Sequence, residues 1–144
     1  MEPIVVTVLN DFTEYPGLRH CKISDDSGEE FYHKVLNYAF KDALEKRTKL
    51  IVELDNTAGF APSFIDEAFG NLVYDFTLDE VKKTLEIRSN QEPSWVDTIK
   101  GPTYTKWEQR RISEDVPKIT ETHEPWYRLV KGQLELKLWL KKSV

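Results

Sequence analysis

The groups best placed to do chemistry lie within LDNTAGFAPSFIDEAFG at 54–70: the carboxylates Asp55, Asp66 and Glu67, and the hydroxyl of Ser63. Paired carboxylates can exchange protons as general acid and base, or hold Mg²⁺. Asp66 and Glu67 are adjacent, however, and adjacent side chains on a helix point in different directions. A small carboxylate-dependent enzyme using Asp55, Asp66 and Glu67 is therefore the alternative reading, behind capping and local salt bridges. Ser63 is expected to cap a helix that begins after the small-residue turn, with Asp66 at capping-box spacing. The positive end of such a helix can receive a phosphate, as a ligand or on the serine itself, although plain capping is the commoner use.

The remaining reactive side chains are scattered. His20-Cys21 is the one His/Cys neighbourhood, His33 falls inside a helical pattern and His123 is far along the chain. No CxxC, HExxH or HxH spacing occurs, so no metal is expected and Cys21 reads as buried and inert. Gly17, Gly59 and Gly70 form no phosphate-cradling loop, so no cofactor is expected. Trp107, Arg110, Trp126, Arg128 and Trp139 interleave aromatic with basic side chains, a pattern that suits core packing, a protein interface, or stacking on single-stranded nucleic acid. A net charge of −5 weighs against the last.

These residues must be held by a single-domain length of chain, 144 residues with 40% hydrophobic and 31% charged residues. PIVVTVL, Pro3 to Leu9, reads as a strand, and Arg19 to Ile23 as a second, short one. Ser27 with Glu30 makes a capping box before an apolar stripe, which predicts a helix from Gly28 to about Glu45. Leu50 to Leu54 reads as a buried central strand, followed by the helix after Ser63, with Phe64, Ala68, Phe69, Leu72 and Val73 on its apolar face. Thr77 caps a short turn, and Lys82 to Ile87 reads as a strand. Alternating strands and capped helices imply an α/β fold, a mainly parallel or mixed sheet packed against helices.

Composition shifts near residue 90. Residues 1–90 hold ten Lys/Arg against seventeen Asp/Glu, residues 91–144 ten against eight, and the second stretch has all four tryptophans. The division expected is therefore 1–90, an α/β domain, and 91–144, a linker and a β-rich C-terminal extension. Strands are expected around Thr103 to Ile112 and on either side of Lys131-Gly132, where Leu134, Leu136, Leu138 and Leu140 alternate with polar residues. No run approaches the roughly 18–20 apolar residues that span a bilayer, and Met1 to Asn10 has no signal-like n-region. A cytoplasmic location is expected, and no membrane partner.

SGEEFY at 27–32 and LIVELDNTAGFAPSFIDEAFGNLV at 50–73 resemble the bacterial STAS-like family of uncharacterised domains, with SFIDEAFG the most specific part. The likeness covers about half of the chain and stops near Ser89. It implies a relationship to the STAS fold of anti-anti-sigma factors, a mixed sheet packed against helices. In those proteins a partner kinase, itself an anti-sigma factor, phosphorylates a serine at the start of the helix after a central strand. Ser63 is the matching position, and Pro62 stands where an aspartate is typical. The resemblance further implies an ATPase-type kinase or a transcription regulator as partner. The reading that combines these signals is a non-enzymatic interaction or regulatory domain, with Ser63, Phe64 and Glu67 as contact or switch residues.

Overall fold

In the computed structural model, residues 2–137 are described. Three four-residue strands, β1 (Ile4–Thr7), β2 (Leu50–Glu53) and β3 (Leu85–Arg88), form a sheet in the order β1-β2-β3. Both pairings are parallel, with Ile4, Leu50 and Leu85 aligned across the sheet, and likewise Val6, Val52 and Ile87. Because side chains alternate along a strand, these six residues share the face that helices cover. Val5, Ile51 and Glu86 share the other face, where Val5 is 53% exposed.

The helices follow the capping chemistry in part. Helix α1 (Val8–Asp11) continues directly from β1. Before α2 (Gly28–Phe31), the Ser27 hydroxyl accepts from the Glu30 N–H at 3.1 Å. A π-helical turn, Tyr32–Leu36, joins α2 to α3 (Asn37–Lys46), so the predicted long helix is one rod with a widened turn. Arg47 ends it in the left-handed conformation, φ 54°. Helix α5 (Leu78–Thr84) is capped by Thr77, and it takes up Lys82, Lys83 and Thr84, which the sequence pattern assigned to a strand. Arg19 to Ile23 forms turns rather than a strand.

Helix α4 (Pro62–Phe76) is the centre of the molecule, buried at every residue from Phe64 to Phe76. A helix buried on all sides is hydrophobic nearly all round, and here the exceptions are Asp66, Glu67, Asn71 and Asp75. α2 packs against α4, as does α7 (Tyr104–Ile112). α7 follows α6 (Ser94–Thr98) and a second π turn, Ile99–Thr103. The strand expected around Thr103 to Ile112 is therefore a helix. Its apolar residues Tyr104 and Trp107 join Ile99 in the main core, and that tertiary packing overrides a local preference. The predicted hairpin forms, with β4 (Trp126–Val130) antiparallel to β5 (Gln133–Lys137). Lys131 and Gly132 both take positive φ, 51° and 78°, as a type I′ turn demands. The layering is α/β with a parallel sheet and a C-terminal antiparallel pair, while Leu138, Trp139 and Leu140 lie outside the described residues.

Candidate functional site

The turn between β2 and α4 lies at the carboxyl end of the central strand. Asp55 accepts from the backbone N–H groups of Asn90 and Gln91, at 3.1 and 2.9 Å. The Gln91 side chain in turn bonds Asn56 at both ends: its Oε1 accepts from the Asn56 N–H at 2.7 Å, and its Nε2 donates to Asn56 Oδ1 at 3.1 Å. The turn after β2 and the one after β3 are thus tied together. Between them lies a cleft of about 310 Å³ whose walls include Asp55, Thr57, Phe60, Ser89 and Trp95. Phe60 meets Trp95 edge to face, ring centres 6.4 Å apart.

Ser63 is not the helix cap. Ala61 holds that place in extended conformation, Pro62 takes the first helical position that its ring prefers, and no side chain bonds the free N–H groups. The Pro62 ring thereby displaces the serine by two positions, leaving it half-buried at the rim. The contrast with Ser27 is testable. Ser27→Ala is expected to cost about 1 kcal/mol, and Ser63→Ala under about 0.5 kcal/mol, in matched urea titrations. An equal loss at both would reinstate Ser63 as a cap.

Asp66 and Glu67 do not diverge as adjacent helical residues should. Both reach Arg19 Nη1, at 2.7 and 3.1 Å, and Lys106 Nζ adds a second cation to Asp66 at 2.8 Å. Burial pushes the Asp66 carboxyl up, but hydrogen bonds from Lys106 and Arg19 outweigh it and hold Asp66 below the usual carboxylate range. For Glu67, burial dominates and raises the carboxyl, with bonds from Asn71 and Arg19 offsetting only part of it. Glu67, Asn71 and Asp75 form a polar stripe at i, i+4, i+8 on α4. Asn71 Nδ2 donates to the Glu67 carbonyl at 2.8 Å and to its carboxylate at 2.9 Å. Asp75 accepts from Arg128 Nε at 2.7 Å and from the Tyr32 hydroxyl. The structure therefore separates the predicted carboxylate group: Asp55 secures a turn, while Asp66 and Glu67 neutralise Arg19 inside the fold. Arg19→Gln is expected to destabilise by about 2 kcal/mol, because Glu67 would stay buried with one cation fewer. A thermal melt unchanged by it would mean that Glu67 is neutral in the folded protein.

Of the aromatic and basic residues named in the second stretch, the two described tryptophans are internal and the two arginines are half-buried. Trp107 is fully buried and Trp126 is 4% exposed, so neither presents an interface anchor. The Arg110 guanidinium stacks 4.4 Å from the Trp107 ring, and Arg128 serves Asp75. Trp139 lies outside the described residues.

A second cluster was not legible as a site. Glu29, fully buried in the first turn of α2, accepts at Oε1 from Thr120 Oγ1 (2.7 Å) and the Cys21 N–H (3.2 Å), with His20 Nδ1 also at 3.2 Å. At Oε2 it meets His123 Nε2 (2.7 Å) and the backbone N–H groups of Thr120 (3.0 Å) and Glu121 (3.3 Å). His33 stacks on His123 with ring centres 4.2 Å apart. Every histidine and the one cysteine thus gather around a single carboxylate. Burial pushes the Glu29 carboxyl up, yet the bonds from His123 and Thr120 win and hold it far below the usual range. Burial raises the Cys21 thiol to about 11, keeping it protonated. Cys21, Glu29 and His123 have ligand atoms within 4.8 Å of one another, the one such trio among the described residues. A cation there would have to displace donors that already fill both Glu29 oxygens, so the arrangement is that of an anchored carboxylate. The available clue was a charge on the buried stripe of a helix: Glu29, Tyr32, Leu36 and Phe40 share one face. Its partners around Thr120 were invisible because they are about ninety residues away.

No curated protein and no solved structure matches the chain. A family model does match: residues 27–95 fit the STAS-like domain of unknown function (DUF4325), the stretch that includes Glu29, the central strand β2, α4 and the turn that ties them to β3. Over residues 27–95, just under half of its length, this chain is therefore similar to a STAS-like domain of unknown function.

Proposed function

We propose that the chain is a non-enzymatic regulatory domain that works by contacting another protein at the N-terminal end of α4. The observation that carries this reading is the fate of the acids. Asp55, Asp66 and Glu67 are engaged by backbone donors and by Arg19, which favours a structural use of these acids over service as a free acid–base pair. The same region has an outward surface: exposed Asn56, Ala58, Gly59 and Pro62, with half-buried Phe60, Ser63 and Trp95 beside them. Aromatic groups on a rim of small residues suit protein recognition.

Phosphorylation of Ser63 is the switch we attach to this surface. A phosphate adds about −1.5 to −2 charge, which the open N–H groups at the start of α4 tolerate and an acidic partner surface would not. Phe64 and Glu67 are buried beneath this end, so they set the position of Ser63 rather than touch the partner. An ATPase-type kinase or a transcription regulator is the partner class proposed, with the contact made in the cytoplasm. Among the described residues no helix is long and apolar enough to cross a membrane.

The test is capture from the source organism's extract by the full chain, in wild-type, Ser63→Glu and Phe60→Ala forms. Wild type should retain a partner in stoichiometric amount, and both variants should lose at least about tenfold of it, equivalent to about 1.4 kcal/mol, while melting within about 3 °C of wild type. Equal retention by all three forms would rule this surface out.

A further inference from the structure

We propose that the cavity between α4 and the C-terminal hairpin is a binding site for a small monocarboxylate with an apolar body. The cavity measures about 170 Å³. That is below the ~300–1,000 Å³ of sites for drug-sized ligands, so its occupant is a small molecule. One wall is polar and comes from the helices, with His33 on the π turn and Asp75 on α4. The opposite wall is mostly apolar, with Pro117, Ile119 and Trp126 from the returning chain.

The positive group is Arg128 on β4. Its Nε is fixed by Asp75 at 2.7 Å, and its guanidinium lies 5.2 Å from the Tyr74 ring. Among the described residues nothing accepts from its two terminal nitrogens, the pair that binds a carboxylate in bidentate fashion. Asp75 cancels one positive charge, and Lys137 at the edge of the same cavity adds another, paired at 3.2 Å with Glu135 outside the lining, so the lining itself is net cationic in a chain of net charge −5. His33 is 4% exposed, and its Nδ1 is buried with no partner among the described residues. Native interiors seldom leave such an atom unpaired, which gives a ligand one further hydrogen bond to make. Burial and the neighbouring His123 lower His33 to about 3, so it contributes that bond as a neutral ring. The site is assembled from three separate stretches of the chain, at 33, 71–75 and 116–137, and an occupant would tie the hairpin to α4.

The competing occupant is water, which fills polar cavities at about 30 Å³ per molecule. The full chain would be titrated with benzoate, and separately with benzamide, its neutral counterpart, following backbone amide shifts by NMR. Benzoate should saturate with shifts centred on His33, Ile119, Trp126 and Arg128, and benzamide should bind at least about tenfold more weakly. Two variants keep the result independent of folding. Val116→Trp alters a residue at the cavity edge that is 68% exposed, and it should close the cavity. Lys137→Gln should weaken benzoate about threefold to tenfold and leave benzamide unchanged. Benzamide equal to benzoate would overturn the anion assignment. No shifts with benzoate, phenylacetate or hexanoate up to about 10 mM, a range that detects even millimolar binding, would mean that the cavity holds only water.

Discussion

Glu29→Ala should be among the most damaging single substitutions in this protein, lowering stability by about 3–5 kcal/mol, the cost of removing one member of a buried charged network. The carboxylate is fully buried and meets groups from the loop just before it, around 20–21, and from a distant segment, around 120–123. Without it, the N–H groups of Cys21, Thr120 and Glu121 lose this acceptor, and the buried one, that of Thr120, costs about 1–3 kcal/mol if left unpaired. The strap from Pro117 to Pro125 should then loosen before the rest unfolds. Hydrogen exchange would show this as faster exchange at Thr120 and Glu121 in Glu29→Gln, the milder variant, with the β-sheet amides still protected. Uniform acceleration across the whole chain would instead make Glu29 part of the global core.

The same cluster sets the response to acid. Glu29 has a folded-state pKa depressed below that of the unfolded chain, so its contribution is complete above about pH 4.5 and is lost as pH falls further. His33 is also depressed, from 6.5 to about 3, because burial and His123 disfavour its charged form. Its contribution is present above about pH 6.5 and drains away between there and pH 3. These two act in one direction, first His33 and then Glu29, while the raised carboxyls of Glu67 and Asp75 act in the other and favour the fold as pH falls. The His33 contribution is therefore read as a difference: urea midpoints should fall less between pH 6.5 and 4.5 in His33→Phe than in wild type. Parallel profiles for the two proteins would contradict the assignment of His33 as a buried neutral ring.

Gly70→Ala is the second large effect expected, about 3 kcal/mol or more, at the upper end of what overpacking costs. A Cβ at Gly70 would sit 2.1 to 2.3 Å from ring atoms of Trp107, and that ring is fully buried. Here glycine is required for close approach, since α7 crosses α4 over this point. The indole cannot swing aside, because close-packed interiors leave no free volume beside it. Melting temperature and tryptophan emission would report the loss. Combining Gly70→Ala with Trp107→Leu should be less destabilising than the sum of the two singles, since the smaller side chain relieves the overlap. Strict additivity would place the strain elsewhere.

Much of the frame was legible in the residues. β-Branched runs marked β1 and β2, Ser27 marked a helix start, Thr77 marked a capped turn that the structure extends into α5, and Lys131-Gly132 marked the hairpin, because each depends on backbone preferences within a few residues. The STAS-like segment was legible for the same reason, as its motif is contiguous. The local rules failed where a stronger constraint competed. Pro62 claimed the first helical position and moved the cap from Ser63 to Ala61. The residues from Thr103 to Ile112 became a helix because Tyr104 and Trp107 needed one face directed at α4.

What the sequence determined by itself, then, was the set of elements and the charge of each stretch, since propensity, capping and turn chemistry act over distances of one to four residues. What only the tertiary structure decided was which side chains meet. Arg19 joins Asp66 and Glu67 across 47 and 48 positions, Glu29 joins Thr120 across 91, and Asp75 joins Arg128 across 53. In each case a charge that would rest in water on an isolated element was carried inside by the helix that bears it. Burying a charge is costly until an opposite charge or a set of donors faces it, and only the assembled fold supplies those partners.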